Sequence, residues 1–325
     1  MAELRWNPLI KDWVMIASNR QNRPQMPKDY CPFCPSFGNV PEYEVLEYDN
    51  DFPALSQNPP EPDDVATDFF KVRPSYGKCE IILYSPGHTV TLPELSDAHM
   101  KKLVDLWCER FRAIASDQKI KYVFPFENRG ELVGVTMPHP HGQIYGYSFL
   151  PKKLQLETSA AKEYYREKHS CLFCSLLENE RREGKRIVFR NDHFTVFLPF
   201  FTEYPYGVYI LSNRHTPYMT DFSEEEKFSL GVTIRDVAGM LDSLFGYRFP
   251  YMMCMHNAPV NLGDYSKDFH FHIEFFPPMR SADKQKFNAS SETGAWASCN
   301  PEETAKELRA AYERFRTRTE RRGLE

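Results

Sequence analysis

The chain has 325 residues, of which 42% are hydrophobic and 26% are charged, and its formal net charge is -5. This balance is typical of a globular protein with a sizeable core, and the acidic charge argues against generic binding to nucleic acid or to anionic membranes. No apolar run approaches the ~20 residues of a transmembrane helix, and the N-terminus lacks a signal-peptide pattern, so we expect a cytoplasmic protein.

Five landmarks follow one another in the first part of the chain: a C-x-x-C pair, an Asp/Phe stretch, a Ser-x-x-His-Thr motif after an apolar run, a capped helix, and a His-x-His motif. They lie at Cys31/Cys34, Asp51-Phe52, Ser85 to His88, Ser96, and His139-Pro140-His141. The segment after Ser96 repeats apolar residues at helical spacing, which predicts a helix with this serine as N-cap. A polar stretch, LPKKLQLETSAAKEYYREKH, follows and is expected to be helical in its second part.

The same five landmarks recur in the same order in the rest of the chain. They lie at Cys171/Cys174, Asp192 with Phe194, Ser212 to His215, Ser223, and His270-Phe271-His272. Ser223 and Glu226 form a capping-box pattern at the start of a second helix. A last helix is predicted from Asn300 as N-cap, with Pro301 at its first position and Glu303 as the reciprocal capping acid. The repeated order predicts two homologous halves, 1–155 and 156–325.

The cysteine pairs are interpreted as metal ligands, because disulfide frames are rare in the cytoplasm. A thioredoxin-like redox centre is the alternative for the pairs, but prolines interrupt the first one. Each half offers the four ligands that structural zinc prefers. The expected sets are Cys31, Cys34, His88 and His139 in the first half, and Cys171, Cys174, His215 and His270 in the second. Zinc is expected in both, with iron possible in the second. His256, His272 and Glu274 compete as ligands in the second half, and a nucleic-acid zinc module is a weaker alternative.

The motif HPHGQ contains a second histidine, His141, that lies on the same face of the strand as His139. Pro140 stiffens the pair, and Gly142 is expected to leave room for a backbone or a phosphate to come close. Gln143 adds an amide that can donate to a phosphate oxygen. A neutral imidazole among such groups can attack phosphorus, whereas a second metal ligand or an oriented structural histidine is the plainer interpretation of His141.

HPHGQ, preceded by FENRGELVGVTMP, resembles the active-site signature of the galactose-1-phosphate uridylyltransferases, a family of the histidine-triad superfamily. The resemblance runs from NRQNRP near the start to FFPPMRSADKQKF near the end. It implies an α+β protein with a duplicated histidine-triad-like fold, in which two antiparallel sheet halves form a half-barrel with flanking helices. It also implies a homodimer with sites shared between subunits, no membrane, and UDP-glucose, UDP-galactose and hexose 1-phosphates as substrates.

The resemblance assigns roles by position. His141 is similar to the nucleophile that forms a uridylyl-histidine, and Gln143 to the glutamine that bonds its phosphoryl oxygens. The implied reaction exchanges UMP between UDP-glucose and galactose 1-phosphate by ping-pong kinetics. The implied substrate-binding residues are Arg20 and Arg23 near the nucleotide, Asn50 and Asp51 at uridine and ribose, Asn128, Gly134 and Thr136 on the phosphate side, and Lys286, Phe287 and Glu292 in a hexose-binding segment lent across the dimer.

The sequence departs from the family pattern at two places. Some members of the family build a second metal site from a glutamate and three histidines. In this sequence, Glu274 occupies the position of the last of those three histidines. The hexose-binding segment has no clear match for the family's glutamine, which leaves hexose specificity open. Three other functions are alternatives: a nucleotidyltransferase of another specificity such as an ADP-sugar phosphorylase, a histidine-triad nucleotide hydrolase, and a non-enzymatic zinc scaffold.

Overall fold

The computed structural model describes residues 2–22, 30–37, 39–286 and 297–322. The strands are β1 (Ala2–Asn7), β2 (Asp12–Ala17), β3 (Leu46–Asp49), β4 (Val72–Pro74), β5 (Gly77–Leu83), β6 (Tyr122–Arg129), β7 (His141–Tyr147), β8 (Ile187–Arg190), β9 (Phe194–Phe197), β10 (Tyr209–Ser212), β11 (Tyr251–His256) and β12 (His272–Phe276). The helices are α1 (Asp97–Ala115), α2 (Lys152–Lys168), α3 (Leu172–Glu183), α4 (Glu224–Phe245) and α5 (Pro301–Arg322).

Nine strands form one antiparallel sheet in the order β3-β5-β7-β6-β11-β12-β10-β9-β8. Strands β6 and β11 pair at the centre, with Cys254 opposite Phe126, and so join the strands of the first half to those of the second. The strand order is mirrored about this central pair, since β5-β7-β6 on one side corresponds to β10-β12-β11 on the other. The expected α+β class with antiparallel sheets is confirmed, and the two sheet halves meet edge to edge in one continuous sheet.

The large sheet is covered on both faces. Helices α1, α4 and α5 pack on one face against buried residues such as Ile82 and Ile144. The three-stranded sheet β2-β1-β4, together with α2 and α3, packs on the other face against residues such as Tyr145 and Leu211. Because side chains alternate along a strand, Ile144 faces the helices while Gln143 and Tyr145 face the opposite side. His141 and Gln143 of the HPHGQ motif therefore lie on the same side of β7 as the small sheet, where Met15 and Ala17 of β2 line the same cavity.

The helix caps follow the sequence prediction. The Ser96 side chain accepts the His99 N–H at the start of α1. Ser223 and Glu226 close a reciprocal capping box at the start of α4, where three acidic residues favourably meet the positive end of the helix dipole. Both predicted helices are confirmed. Helices α1 and α4 cross closely at Gly231 of α4, where an added Cβ would lie only 2.9 Å from the backbone of Met100 in α1.

Two local predictions need correction. Helix α2 begins at Lys152 rather than in the second part of the polar stretch, because Leu154, Thr158 and Ala161 already form a buried stripe at helical spacing. At α5, Asn300 caps as predicted, since its Oδ1 accepts the N–H groups of the second and third helical residues at 3.1 Å. The carboxylate of Glu303, however, pairs with Lys306 at 2.7 Å instead of returning to the cap. No helix among the described residues is long and apolar enough to cross a membrane.

Candidate active site and metal clusters

The first cluster of thiols and imidazoles joins a short loop to the ends of strands. Cys31 and Cys34 lie in the loop, while His139 comes just before β7 and His88 after β5. His139 Nδ1 lies 3.6 Å and 3.5 Å from the two sulfur atoms, and His88 Nδ1 lies 3.3 Å from Cys34 Sγ. Burial lowers the pKa of His139 to about 4, so its imidazole is neutral and has a lone pair to offer a metal.

The second cluster repeats this arrangement in the other half. Cys174 Sγ lies 3.3 Å from His215 Nδ1 and 3.4 Å from His270 Nδ1, with Cys171 completing the group. In both clusters the opposite ring nitrogen is held by a neighbour: His139 Nε2 donates to the Ser85 carbonyl at 2.8 Å, and His270 Nε2 lies 2.8 Å from the Ser212 hydroxyl. Such outer partners orient metal-binding imidazoles. Both quartets named from the sequence are thus brought together.

A third group, formed by Glu157, His256, His272 and Glu274, is separate from the second quartet. The last three were expected to compete for the Cys171/Cys174 site, but they instead assemble with Glu157 of α2. Burial acts to raise the pKa of Glu274, but His256 and Lys153 lower it to about 2. Lys153 also pairs with Glu274 directly. The pKa of the half-buried Glu157 is lowered as well, because His256 and His272 outweigh its burial. Both carboxylates are therefore compensated by cationic groups or imidazoles.

His141 lies outside all three of these groups and lines a cavity of about 310 Å³. Its Nδ1 lies 2.8 Å from the carbonyl oxygen of His139. A carbonyl can only accept, so Nδ1 carries the proton and the lone pair of the neutral ring is at Nε2. The ring also packs against Phe33, with centroids 5.7 Å apart. The local backbone therefore fixes both the tautomer and the orientation of this imidazole.

Side chains from several elements form the other walls of the cavity. Gln143 and Tyr145 follow His141 on the same face of β7, and Arg20 approaches from the turn after β2. The Tyr145 hydroxyl donates to Gln143 Oε1 at 2.8 Å, and Arg20 Nη1 donates to that hydroxyl at 3.3 Å. Three further residues named from the sequence line the cavity: Asn128, Gly134 and Thr136. The cavity thus combines the imidazole of His141 with several hydrogen-bond donors and the cation of Arg20.

Gly142 does not leave open space, contrary to expectation. The glycine is buried, and a Cβ added there would lie 3.1 Å from Cε1 and Cζ of Tyr84 and closer still to its hydroxyl oxygen. Tyr84 in turn donates to Glu127 at 3.2 Å, behind the HPHGQ strand. Burial raises the pKa of Glu127 to about 7, despite the nearby Arg129. The absent side chain of Gly142 therefore makes room for a tyrosine, not for a ligand.

Asn50 and Asp51 directly follow β3. Asn50 is buried and lines an adjacent pocket with Lys78 and Cys79. Its Oδ1 accepts the Phe52 N–H at 2.9 Å, while its Nδ2 has no partner among the described residues. Asp51 is exposed and accepts the Tyr48 hydroxyl at 3.1 Å. Neither residue is among those that line the cavity at His141.

Of the three hexose-binding residues expected from the resemblance, the structure describes Lys286, which does not line the cavity. Lys286 lies away from it, with Nζ 4.3 Å from the centre of the Tyr204 ring. Arg23, Phe287 and Glu292 lie outside the described residues.

Three contributors were missed by the sequence analysis: Phe33, Tyr145 and Glu157. The first two are aromatic residues of the kind that ordinarily fill a core, and Glu157 is one of three acidic residues in the polar helix α2. Only the alternation of residues 141, 143 and 145 along one strand offered a signal, and it pointed to Tyr145.

Comparison with known proteins places these features in a family. Residues 1–151 match the model of the galactose-1-phosphate uridyl transferase N-terminal domain, and residues 157–311 match that of the C-terminal domain. A galactose-1-phosphate uridylyltransferase of Thermotoga maritima is 41% identical over 95% of this chain and 98% of its own length. That of Haemophilus influenzae is 31% identical, over 87% of this chain and 86% of its own.

Solved structures agree with the sequence matches. A uridylyltransferase structure superposes with a TM-score of 0.87 at 32% identity, covering 96% of this chain and 99% of the other. An ADP-glucose phosphorylase of Arabidopsis thaliana shares the fold, with a TM-score of 0.73 at 21% identity over 95% of this chain and 99% of its own.

Proposed function

This chain belongs to the galactose-1-phosphate uridylyltransferase family, and we propose that it transfers UMP between UDP-glucose and galactose 1-phosphate through a uridylyl group carried on His141. The observation that carries the proposal is the different use of two neighbouring histidines. His139 turns Nδ1 toward the sulfur atoms of Cys31 and Cys34, whereas His141 donates through Nδ1 to the carbonyl of His139 and lines the cavity. A neutral imidazole with its lone pair at Nε2 is a competent nucleophile near pH 7.

The chemistry proceeds in two displacements at one phosphorus atom. His141 Nε2 attacks the α-phosphorus of UDP-glucose, an N–P bond forms, and the P–O bond to glucose 1-phosphate breaks. The phosphate of galactose 1-phosphate then attacks the same phosphorus, releases the imidazole and leaves as UDP-galactose. Arg20, Gln143 and Thr136 line the cavity and supply donors to the oxygens that gain charge. Because one covalent intermediate links the two steps, the kinetics are ping-pong.

The nucleoside binds next to this centre in our proposal. The unpartnered amide nitrogen of buried Asn50 supports a contact with uridine or its ribose, since a buried donor without an acceptor is costly. Asp51, one residue on, offers a carboxylate to the ribose hydroxyls.

Zinc is the proposed metal of the two quartets, because two thiolates and two imidazoles are the donors that it takes in closed structural sites. The third group offers two carboxylates and two imidazoles, a set suited to a divalent iron or manganese ion as well as to zinc. These ions would stabilise the loops and strands that they join and would leave the chemical step to His141.

A second copy of the chain completes the hexose site in this proposal. Lys286 contacts Tyr204 of its own chain and is absent from the walls around His141, which supports delivery of this segment to a partner subunit. Light scattering during size-exclusion chromatography tests the dimer, and a fully active monomer would contradict it.

The deciding experiment is intact mass measurement after incubation with UDP-glucose alone. The wild type should gain one uridylyl group, and adding galactose 1-phosphate should remove it as UDP-galactose. His141→Ala should gain nothing, while His193→Ala, at the turn between β8 and β9, should behave as wild type. A wild type that gains no uridylyl group would refute the proposed transfer reaction. A uridylyl group gained by His141→Ala would refute the assignment of His141 as the nucleophile. ADP-glucose in place of UDP-glucose tests the base, and UMP released without an acceptor would indicate a hydrolase.

A further inference from the structure

We propose that Tyr145 is a positioning residue for this reaction: its hydroxyl fixes the carboxamide of Gln143 so that the amide N–H groups face the phosphoryl group on His141. The inference rests on the proposed function, because it assigns a role within the same cavity. It concerns the orientation of a donor and adds no chemical step.

The geometry of β7 brings the three residues together. His141, Gln143 and Tyr145 alternate along the strand, so their side chains lie on one face, and all three line the same cavity. The Tyr145 hydroxyl donates to Gln143 Oε1 at 2.8 Å, which is a normal distance for this pair. The tyrosine ring is buried and packs edge-on against Phe126, with centroids 5.0 Å apart. The hydroxyl is therefore held in place by packing of the ring.

Arg20 determines the direction of the hydrogen bonds. Its Nη1 lies 3.3 Å from the Tyr145 hydroxyl oxygen, and a guanidinium can only donate. The hydroxyl must accept from Arg20, so its own proton is available for Gln143. A carboxamide accepts through oxygen and donates through nitrogen, so Gln143 turns Oε1 toward the tyrosine and Nε2 away from it. The orientation of the amide thus follows from an obligate donor two side chains away.

Cys79 is a further polar neighbour of this hydroxyl, since it pairs with Tyr145 in the register of β5 and β7. Burial raises the pKa of Cys79 to about 11, so the group is a thiol at neutral pH. A thiol is a poor acceptor compared with an amide oxygen. The proton of the tyrosine therefore goes to Gln143 rather than to sulfur.

The orientation matters because an amide has two unlike ends. With Nε2 toward the reacting phosphorus, Gln143 stabilises charge that grows on the phosphoryl oxygens. With Oε1 there instead, it would repel those oxygens. Loss of the tyrosine hydroxyl should therefore slow the chemical step while leaving the binding of UDP-glucose unchanged.

The test compares rates of uridylyl-enzyme formation at saturating UDP-glucose, measured by rapid quench. Tyr145→Phe should be slower by about tenfold, the order expected for one hydrogen bond, with KM unchanged. Tyr147→Phe is the matched control, because Tyr147 lies on the same face of β7 outside the cavity, and it should match wild type. In the background of Gln143→Ala, Tyr145→Phe should cause no further loss.

Each other result is decisive. A wild-type rate for Tyr145→Phe would overturn the inference, and so would an equal loss with and without Gln143, because the tyrosine would then act independently of the amide. A rise in KM with an unchanged maximal rate would also overturn it. A wild type that forms no uridylyl-enzyme would refute the proposed function itself, and the inference with it.

Discussion

Replacing Gly142 by alanine tests the packing behind the HPHGQ strand. Its φ is not among the positive values found at other glycines, so the backbone conformation itself tolerates a side chain. The added methyl would instead meet Tyr84, whose ring carbons Cε1 and Cζ lie 3.1 Å from the position of the new Cβ. Tyr84 is 1% exposed, hydrogen-bonded to Glu127 and packed edge-on against Trp107, so its ring cannot shift away from the new methyl group.

Overpacking of this kind costs about 1–3 kcal/mol. We therefore expect Gly142→Ala to lower the free energy of unfolding by that amount in urea titrations with an unchanged m-value. Tyr84→Phe removes the nearest atom, the hydroxyl oxygen, and should itself cost about 1 kcal/mol through the lost hydrogen bond to Glu127.

The two changes together provide the control. In the Tyr84→Phe background, Gly142→Ala should cost less than in wild type, because the steric overlap is partly relieved. Equal costs in both backgrounds would refute the reasoning, as would a loss below about 0.5 kcal/mol in the single variant, the range of a neutral surface change.

Three further predictions concern titration, metal content and buried charge. Burial raises the pKa of Glu127 from 4.5 to about 7, so the unfolded chain loses this proton at a lower pH than the folded chain does. The free energy of unfolding should therefore fall as the pH rises from about 4.5 to 7. Glu127→Gln should reduce this fall when unfolding is measured at several pH values in that range. Cys174→Ser should lower the metal content by one ion per chain in elemental analysis and lower the melting temperature, whereas Cys299→Ser, outside every cluster, should do neither. Arg235→Ala should lower the free energy of unfolding by about 3–5 kcal/mol, because Asp97 and Asp236 lose a fully buried cationic partner. Lys306→Ala, which removes an exposed ion pair with Glu303, should lower it by less than about 1 kcal/mol.

Contrary outcomes are equally specific. Parallel stability curves for wild type and Glu127→Gln between about pH 4.5 and 7 would mean that this carboxyl does not titrate differently on unfolding. Full metal content in Cys174→Ser would exclude the second quartet as a tight site. A loss at Arg235 no larger than that at Lys306 would show that the buried guanidinium is dispensable.

Local signals were the most predictable part of this molecule. The N-caps at Ser96, Ser223 and Asn300 each place a short polar side chain before a stretch of helical periodicity, and that pattern needs no knowledge of tertiary structure. The repeated order of cysteines and histidines likewise grouped Cys171 with His270, and the structure brings them together. Duplication supplied long-range information that a single half would lack.

Features that depend on packing between distant segments were not predictable. Glu157 joins the third cluster because its carboxylate on α2 approaches His256 of β11 and His272 of β12, and its sequence neighbours Leu156 and Thr158 give no sign of that contact. The role of Gly142 depends on Tyr84, a residue on the segment following β5, and no pattern along the chain links the two. The early start of α2 was missed because its buried stripe contains Thr158 and Ala161, which are weak hydrophobic signals.

The two His-x-His motifs use one backbone device for two purposes. His272 turns Nδ1 to the carbonyl of His270 at 2.9 Å, just as His141 does with His139 at 2.8 Å. The ring of His272, however, is enclosed at 1% exposure among Glu157, His256 and Glu274. Because no substrate can reach that imidazole, the second His-x-His motif does not provide a second nucleophile. Each chain should therefore accept a single uridylyl group at saturation. The second motif instead stabilises the packing of its own half.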